Sequence, residues 1–436
     1  MSKAKVVEWE FLIPFIAITS LFFLWGVAND MTNPLVSAFK KVMPELSNTQ
    51  AAFVQLAFYG GYGTMALPAA LFIYRYSYKK GVLMGLALYA IGALLFYPAA
   101  QFENYNYFLA SLYILTFGLA FLETTANPFI LFLGNPETAT RRLNLAQAFN
   151  PMGSLCGMLM AQLYIVGLLQ SDNYTSSEYA MLSVAEKAAI RTHDLGLISV
   201  PYMALGGVII LVLAAIALIR MPVQQHDISI TVKESFRMLF RNKRYYEGVI
   251  AQAFYVGAQI SCWTFIYHYV DHLNTFRPAD AQLTATWYNM AAMITFLSSR
   301  WISTFLMKYI EPAKLMFYFA LGGIALAIGA ISIVGMGGLY CLIGISAMMS
   351  LMFPTIYGIA LKDMGEEAKI GSAGLVMAIV GGALLPPFQG RILDMGGDGL
   401  ADLALLGYIP EVNFSFVLPL ASFVVVAAYA YRSFKS

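Results

Sequence analysis

Apolar runs long enough to cross a lipid bilayer recur along almost the whole chain, and no other feature limits its fold as much. A helix needs about 20 apolar residues to cross the hydrocarbon core. Inside that core every backbone N–H and C=O must be paired within the protein, so only helices or closed barrels can cross. Runs of that length read as membrane-spanning helices. Twelve are readable, at roughly 11–39, 50–74, 81–100, 106–133, 142–169, 196–219, 245–270, 283–307, 314–334, 338–361, 370–392 and 412–431. The chain is 59% hydrophobic and 11% charged, whereas a soluble protein is about 25% charged. Such a composition cannot cover a water-facing surface. The expected fold class is therefore all-α integral membrane, with twelve transmembrane helices.

Lysine and arginine sort to one side of this arrangement. The N-terminus, the connections after even-numbered spans and the C-terminus hold 19 of the 26, among them Arg75, Lys80, Arg142, Arg241, Lys314 and Lys435. The opposite connections hold mainly acids, such as Glu103, Asp172, Asp271 and Asp394. Basic loops stay in the cytoplasm, so both termini are expected there. The connection from Ser171 to Asp194 is long and polar. It contains Ser183-Val-Ala-Glu186, a capping-box pattern that predicts a short amphipathic helix.

The connection at 221–244 divides the chain almost in half. A weak repeat relates the two parts. Asn127-Pro128-Phe129 in the fourth span corresponds to Phe353-Pro354-Thr355 in the tenth. The expected organisation is a six-helix bundle over 1–220, a cytoplasmic connection over 221–244 and a second six-helix bundle over 245–436. Two such pseudo-symmetric halves are a known transporter plan, with the solute site at mid-membrane between them.

Glu123 is the only formally charged residue between Tyr107 and Leu133. An ionised carboxylate at mid-membrane costs roughly 3 kcal/mol or more, and such acids usually face a bundle interior or a polar path. In the first span Asn29, Asp30 and Asn33 fall within one turn, ahead of Pro34. Asp30 fits either that path or a solvated place near the outer interface. Gln55, Tyr59 and Tyr62 form a stripe on the second span, and Asn144, Gln147 and Asn150 form one on the fifth. The seventh carries Gln252, Tyr255, Gln259, Trp263 and Tyr267 at spacings of three and four. Amides pair with hydroxyls in both directions, and flat rings cover the apolar face of a pyranose, so these stripes suit a sugar. Interhelical hydrogen bonding and aromatic core packing explain the same spacings. Asn127, Asn289 and Tyr357 are further sugar-binding candidates. Arg300 of the eighth span fits snorkelling, or bonding to helix carbonyls, better than substrate contact.

Several classes are excluded. The histidines, His193, His226, His268 and His272, lie in or near connections at no metalloprotease spacing. Cys156, Cys262 and Cys341 lie in apolar runs at no metal-ligand spacing, and their odd number argues against a disulfide framework. No enzyme chemistry, cofactor, metal or nucleic-acid partner is expected. The two-half plan argues against a channel and for a monomer in the bilayer.

The segment Leu122-Glu-Thr-Thr-Ala-Asn-Pro-Phe129 resembles the Leu-Glu-Thr-Ala-Ala-Asn-Pro-Phe signature of the fucose–galactose–glucose:proton symporters of the major facilitator superfamily. Ser20-Leu-Phe-Phe-Leu-Trp25, Arg142-Leu-Asn-Leu-Ala-Gln-Ala-Phe-Asn150 and Tyr255-Val-Gly-Ala-Gln-Ile-Ser-Cys-Trp263 are similar to the family as well. The resemblance implies a bacterial inner-membrane protein that carries L-fucose or a related hexose with a proton, by alternating access. It implies that Glu123 serves both sugar recognition and coupled protonation, and that Gln147, Asn150 and Gln259 line a central cavity. In the branch it most resembles, the first span reads Asn-Asn-Leu-Asn-Asp, and the last residue handles the proton. Here that position is Asn33, which cannot titrate, and Asp30 stands one turn earlier. Proton binding then falls to Asp30 or to Glu123 alone, or coupling differs, with sodium as the other ion. A glucose, galactose or N-acetylhexosamine carrier, or a uniporter, is the alternative reading.

Overall fold

The computed structural model describes residues 5–32, 35–43, 45–46, 48–174, 176–222, 232–365, 367–395 and 409–435. All its regular structure among these residues is helical. α1 (Leu12–Thr32) and α2 (Leu35–Val42) cover the first expected span and α3 (Asn48–Arg75) the second. α4 (Tyr78–Leu94) and α5 (Phe96–Gln101) make the third, and α6 (Tyr105–Phe132) the fourth. The fifth divides into α7 (Ala139–Gln147) and α8 (Asn150–Met160), followed by a π-helical turn. After α9 (Ser176–Met181), α10 (Val184–Leu218) is the sixth. α11 (Val232–Arg241) precedes α12 (Lys243–Asn274), the seventh. α13 (Ala285–Leu306) and α14 (Pro312–Ser332) are the eighth and ninth. α15 (Met336–Met349) and α16 (Met352–Ala360) share the tenth, α17 (Glu367–Met377) and α18 (Gly381–Met395) the eleventh. α19 (Glu411–Phe414) leads into α20 (Val417–Lys435), the twelfth.

Among the described residues, 10 helical segments are long and apolar enough to cross a membrane. The fifth and eighth spans complete the count of twelve. The fifth is interrupted ahead of Pro151, whose missing N–H and ring break the helical ladder at Gln147. The eighth is continuous but carries Arg300 in its interior.

The capping box forms: Ser183 Oγ accepts from Glu186 N at 3.3 Å, and Glu186 Oε2 accepts from Ser183 N at 2.9 Å. It does not start a separate short helix, which corrects the expectation. It starts α10 itself, a helix of 35 residues that begins about three turns before the apolar run. No glycine or proline occurs from 184 to 195, so nothing stops the helix there.

Two compact units make up the chain. One comprises Trp9–Phe129 and Phe149–His226. In it α1 and α8 pack backbone against backbone. A Cβ on Gly153 would stand 1.9 Å from the Phe23 carbonyl oxygen, and one on Gly157 2.3 Å from that of Val27. These two glycines, four apart, have the spacing that lets membrane helices approach closely. Asn150 adds an amide bond from Nδ2 to the Phe22 carbonyl oxygen at 3.2 Å. Gly153→Val is therefore expected to force the helices apart. Overpacking typically costs about 1–3 kcal/mol, and no flexible neighbour can yield here. The purified variant should show a lowered thermal midpoint or lose its monodisperse elution peak.

The other unit comprises Met1–Glu8, Ile130–Ala148 and Asp227–Ser436. Arg142 is fully buried in it. Its guanidinium donates to the carbonyl oxygens of Ile130 at 2.8 Å, Leu131 at 2.7 Å and Asn135 at 3.2 Å, and so closes the C-terminal end of α6. α7 then packs on α13 and α16. Asn144 Nδ2 donates to Thr355 Oγ1 at 3.2 Å, Arg141 Nε donates to the Thr304 carbonyl oxygen at 3.3 Å, and Thr140 lies against Gly358.

Candidate functional site

In the first unit α1, α3 and α6 bring two acids to one cluster. Glu123 lies beyond the middle of α6. Asn127, one turn on, donates from Nδ2 to the Glu123 carbonyl oxygen at 3.0 Å. Glu123 as a whole is half-buried, but its Oε2 is enclosed and has no hydrogen-bond partner among the described residues. An enclosed acceptor left unpaired costs roughly 1–3 kcal/mol, and more when charged. Tyr62 of α3 stands within electrostatic range of this carboxyl and beside the Trp25 indole. Tyr59, one turn earlier, is in range of both Tyr62 and Asp30. Phe58 meets both tyrosines edge-on, at centroid distances of 5.5 and 5.7 Å. Asp30 is only 8% exposed, so it takes the enclosed position and not the solvated one. Each acid thus lies in range of one member of a tyrosine pair.

Asn29 is half-buried beside Asp30. Asn33 lies outside the described residues, and so does the side chain of Gln55, whose backbone is part of α3. The Asn150 amide is spent on α1, as above.

In the second unit the polar stripe of α12 meets α13, α15 and α16. Gln252 has no exposed surface, and neither end of its amide has a partner among the described residues. The Tyr255 hydroxyl, one turn on, is also enclosed and unpaired among them. The Tyr255 ring faces Phe353 at 6.4 Å, and Phe353 lies nearly parallel to Tyr357 at 6.3 Å. Gln259 is half-buried. Trp263 Nε1 donates to Ser346 Oγ at 3.1 Å, and its ring meets Phe296 at 5.1 Å. Asn289 Nδ2 donates to the Trp263 carbonyl oxygen at 3.0 Å. Tyr267 is 39% exposed, at the far end of the stripe.

Arg300 is the pivot of this cluster and was legible only in part. It bonds to helix carbonyls, the first of the two roles that its sequence position allowed. Nη1 donates to the Gln147 carbonyl oxygen at 3.2 Å, and Nε donates to that of Ser350. Each acceptor stands four residues before a proline, Pro151 or Pro354. A proline has no N–H to give the carbonyl four residues back, so both oxygens are left over by the backbone. The guanidinium also lies 4.7 Å over the Phe296 ring and in range of Tyr255. Counting four back from each intramembrane proline would have named both partners. Gln147 is buried, and its backbone, at least, belongs to this contact.

No group of three or more metal-ligating side chains occurs among the described residues, and the chemistry present is that of amides, hydroxyls, rings and two carboxyls. Such a set can bind a polyhydroxylated solute and hold protons.

The chain matches the Major Facilitator Superfamily model over residues 11–386. It is 56% identical over 438 residues to the L-fucose-proton symporter of Haemophilus influenzae, covering 99% of both chains. It is 35% identical to the L-fucose-proton symporter of Escherichia coli, over 95% of this chain and 93% of that one. Among solved structures it is similar to that of the major facilitator superfamily transporter FucP in the outward conformation, with a TM-score of 0.85 and 32% identity over 97% of this chain and 99% of that one. With its helical spans and these full-length matches, the protein is a multi-pass membrane transporter that belongs to the major facilitator superfamily.

Proposed function

We propose that the protein is an L-fucose:proton symporter of a bacterial inner membrane, a monomer with both termini in the cytoplasm and with halves at 1–220 and 245–436. One observation carries the reading: two intramembrane acids, Asp30 and Glu123, lie in range of Tyr59 and Tyr62 respectively, in a chain whose full-length relatives carry L-fucose with a proton. Low dielectric disfavours the charged form of a carboxyl group, so an acid in such a place takes a proton from the side with higher proton activity. Loading the proton removes the one feature that opposes entry of an uncharged sugar. Hydroxyls then pair with amides such as Gln147, Gln252 and Gln259, and Trp263 and the neighbouring tyrosines offer flat faces to the ring. Isomerisation exposes the loaded site to the cytoplasm, where proton activity is lower, and both cargoes leave. Each proton contributes roughly 2.3 kcal/mol per 100 mV of membrane potential.

The test is uptake of labelled L-fucose by proteoliposomes under an imposed pH gradient, with and without sodium. D-glucose, D-galactose and N-acetylglucosamine serve as competitors. Accumulation should follow the pH gradient and ignore sodium. A sodium requirement, or stronger competition by D-glucose than by unlabelled L-fucose, would overturn the reading.

Asp30→Asn divides the work between the acids. If Asp30 replaces the missing acid at Asn33, this variant should lose gradient-driven accumulation and keep L-fucose counterflow. Unchanged accumulation assigns the proton to Glu123 alone.

A further inference from the structure

We propose that α11, between the two halves of the sequence, is an interfacial helix that docks on anionic phospholipid headgroups. Its level relative to the bilayer follows from its neighbours. α11 ends at Arg241, and α12, a membrane-crossing helix, begins at Lys243. The single residue between them, Asn242, caps α12 by accepting from Tyr245 N at 3.2 Å. The first turns of α12 carry Lys243, Arg244 and Glu247, charges that mark the water boundary of a span. α11 is thereby placed within reach of the headgroups.

Its two sides differ as an interfacial helix requires. Ser235 and Leu239 are buried, and Leu239 packs beside Gly371 of α17. Phe240 adjoins that face but is 74% exposed. On the far side of Phe240 stand Arg237 and Arg241, four apart, both exposed and without an ion pair among the described residues. Segment 233–244 contains the cations Lys233, Arg237, Arg241, Lys243 and Arg244, and one acid, Glu234. Lys243 and Arg244 already face Glu247 and Asp363 at 4.0 and 3.8 Å. Among the described side chains of the segment, Arg237 and Arg241 are the cations left for an outside anion, and a large ring projects next to them. A helix with this pattern places its aromatic group at the acyl boundary and its cations on phosphates. Phosphate of an anionic lipid supplies the complementary charge at that depth.

The proposal does not depend on the transported sugar. A nitroxide at Phe240→Cys, in full-length protein carrying Cys156→Ser and Cys341→Ser, reports immersion through its collision rates with oxygen and with a water-soluble nickel chelate. The third cysteine, Cys262, is fully buried and escapes labelling. In vesicles containing phosphatidylglycerol the label should be immersed. Arg237→Gln with Arg241→Gln should lower the ratio of immersed to aqueous label roughly thirtyfold, about fivefold per cation. In pure phosphatidylcholine the same pair should have little effect. A label that stays aqueous with phosphatidylglycerol overturns the proposal. So does immersion that ignores both the arginines and the lipid charge, and so does a label shielded only after cytosolic protein is added. An unchanged thermal midpoint in the arginine variants shows that the fold is intact.

Discussion

Glu123→Gln is expected to abolish concentrative uptake of L-fucose and to spare exchange. Glutamine keeps the length and hydrogen-bonding capacity of a protonated glutamate, but it cannot release a proton. The variant is thus locked in a stand-in for the loaded form. At 100 mV, one coupled proton supports an accumulation of roughly fiftyfold. In proteoliposomes that ratio should fall to about one, while counterflow of labelled L-fucose into vesicles preloaded with unlabelled sugar persists. The enclosure of Oε2 makes the effect large, because no second side chain among the described residues is hydrogen-bonded to that oxygen and able to take the proton over. Accumulation that stays gradient-driven in Glu123→Gln would place the coupled proton elsewhere, with Asp30 next in line. If exchange is lost as well, the carboxyl is required for the sugar itself.

How much of this could be read from the sequence depended on which physical effect was involved. Apolar length marks a membrane helix almost without ambiguity, so every span was located. The extension of α10 was not, because charged and polar residues interrupt 184–195 and the helix there leaves the apolar run behind. Helical spacing put Tyr59 on a polar stripe, and the cost of a charge at mid-membrane singled out Glu123, whereas for Asp30 the sequence left an interior path and a solvated outer place both open. Spacing says which face a residue shares, and nothing about what stands opposite. Gln252 and Gln259 look alike in the sequence, yet one is sealed with its amide unpaired and the other is half-buried. The amides of Asn150 and Asn289 both reach backbone carbonyls of neighbouring helices, a relation that no pattern within one helix contains. The resemblance to a symporter family supplied the chemistry, and the structure supplied the tyrosine pair that lies in range of both acids.

Arg300→Met is expected to lower stability by roughly 2–6 kcal/mol, the cost of two enclosed carbonyls left without a donor. Methionine fills similar space and keeps the contact with Phe296, so the loss isolates the hydrogen bonds. Arg300→Lys should recover less than half. An ammonium on a flexible stem lacks the planar fork that serves Gln147 and Ser350 together. The thermal midpoint of purified protein is the measurement. A sugar-binding arginine gives another result, with a raised KM for L-fucose and little change in midpoint. Proline chemistry allows a stricter check. Pro354→Ala returns an N–H to the Ser350 carbonyl, so one of the two acceptors no longer needs the guanidinium. The penalty for Arg300→Met should then shrink by about 1–3 kcal/mol in the Pro354→Ala background, a coupling that a double-mutant cycle resolves. An equal penalty in both backgrounds would mean that the arginine holds α13 by its contacts with Phe296 and Tyr255, and that the carbonyl freed by the proline finds its donor elsewhere.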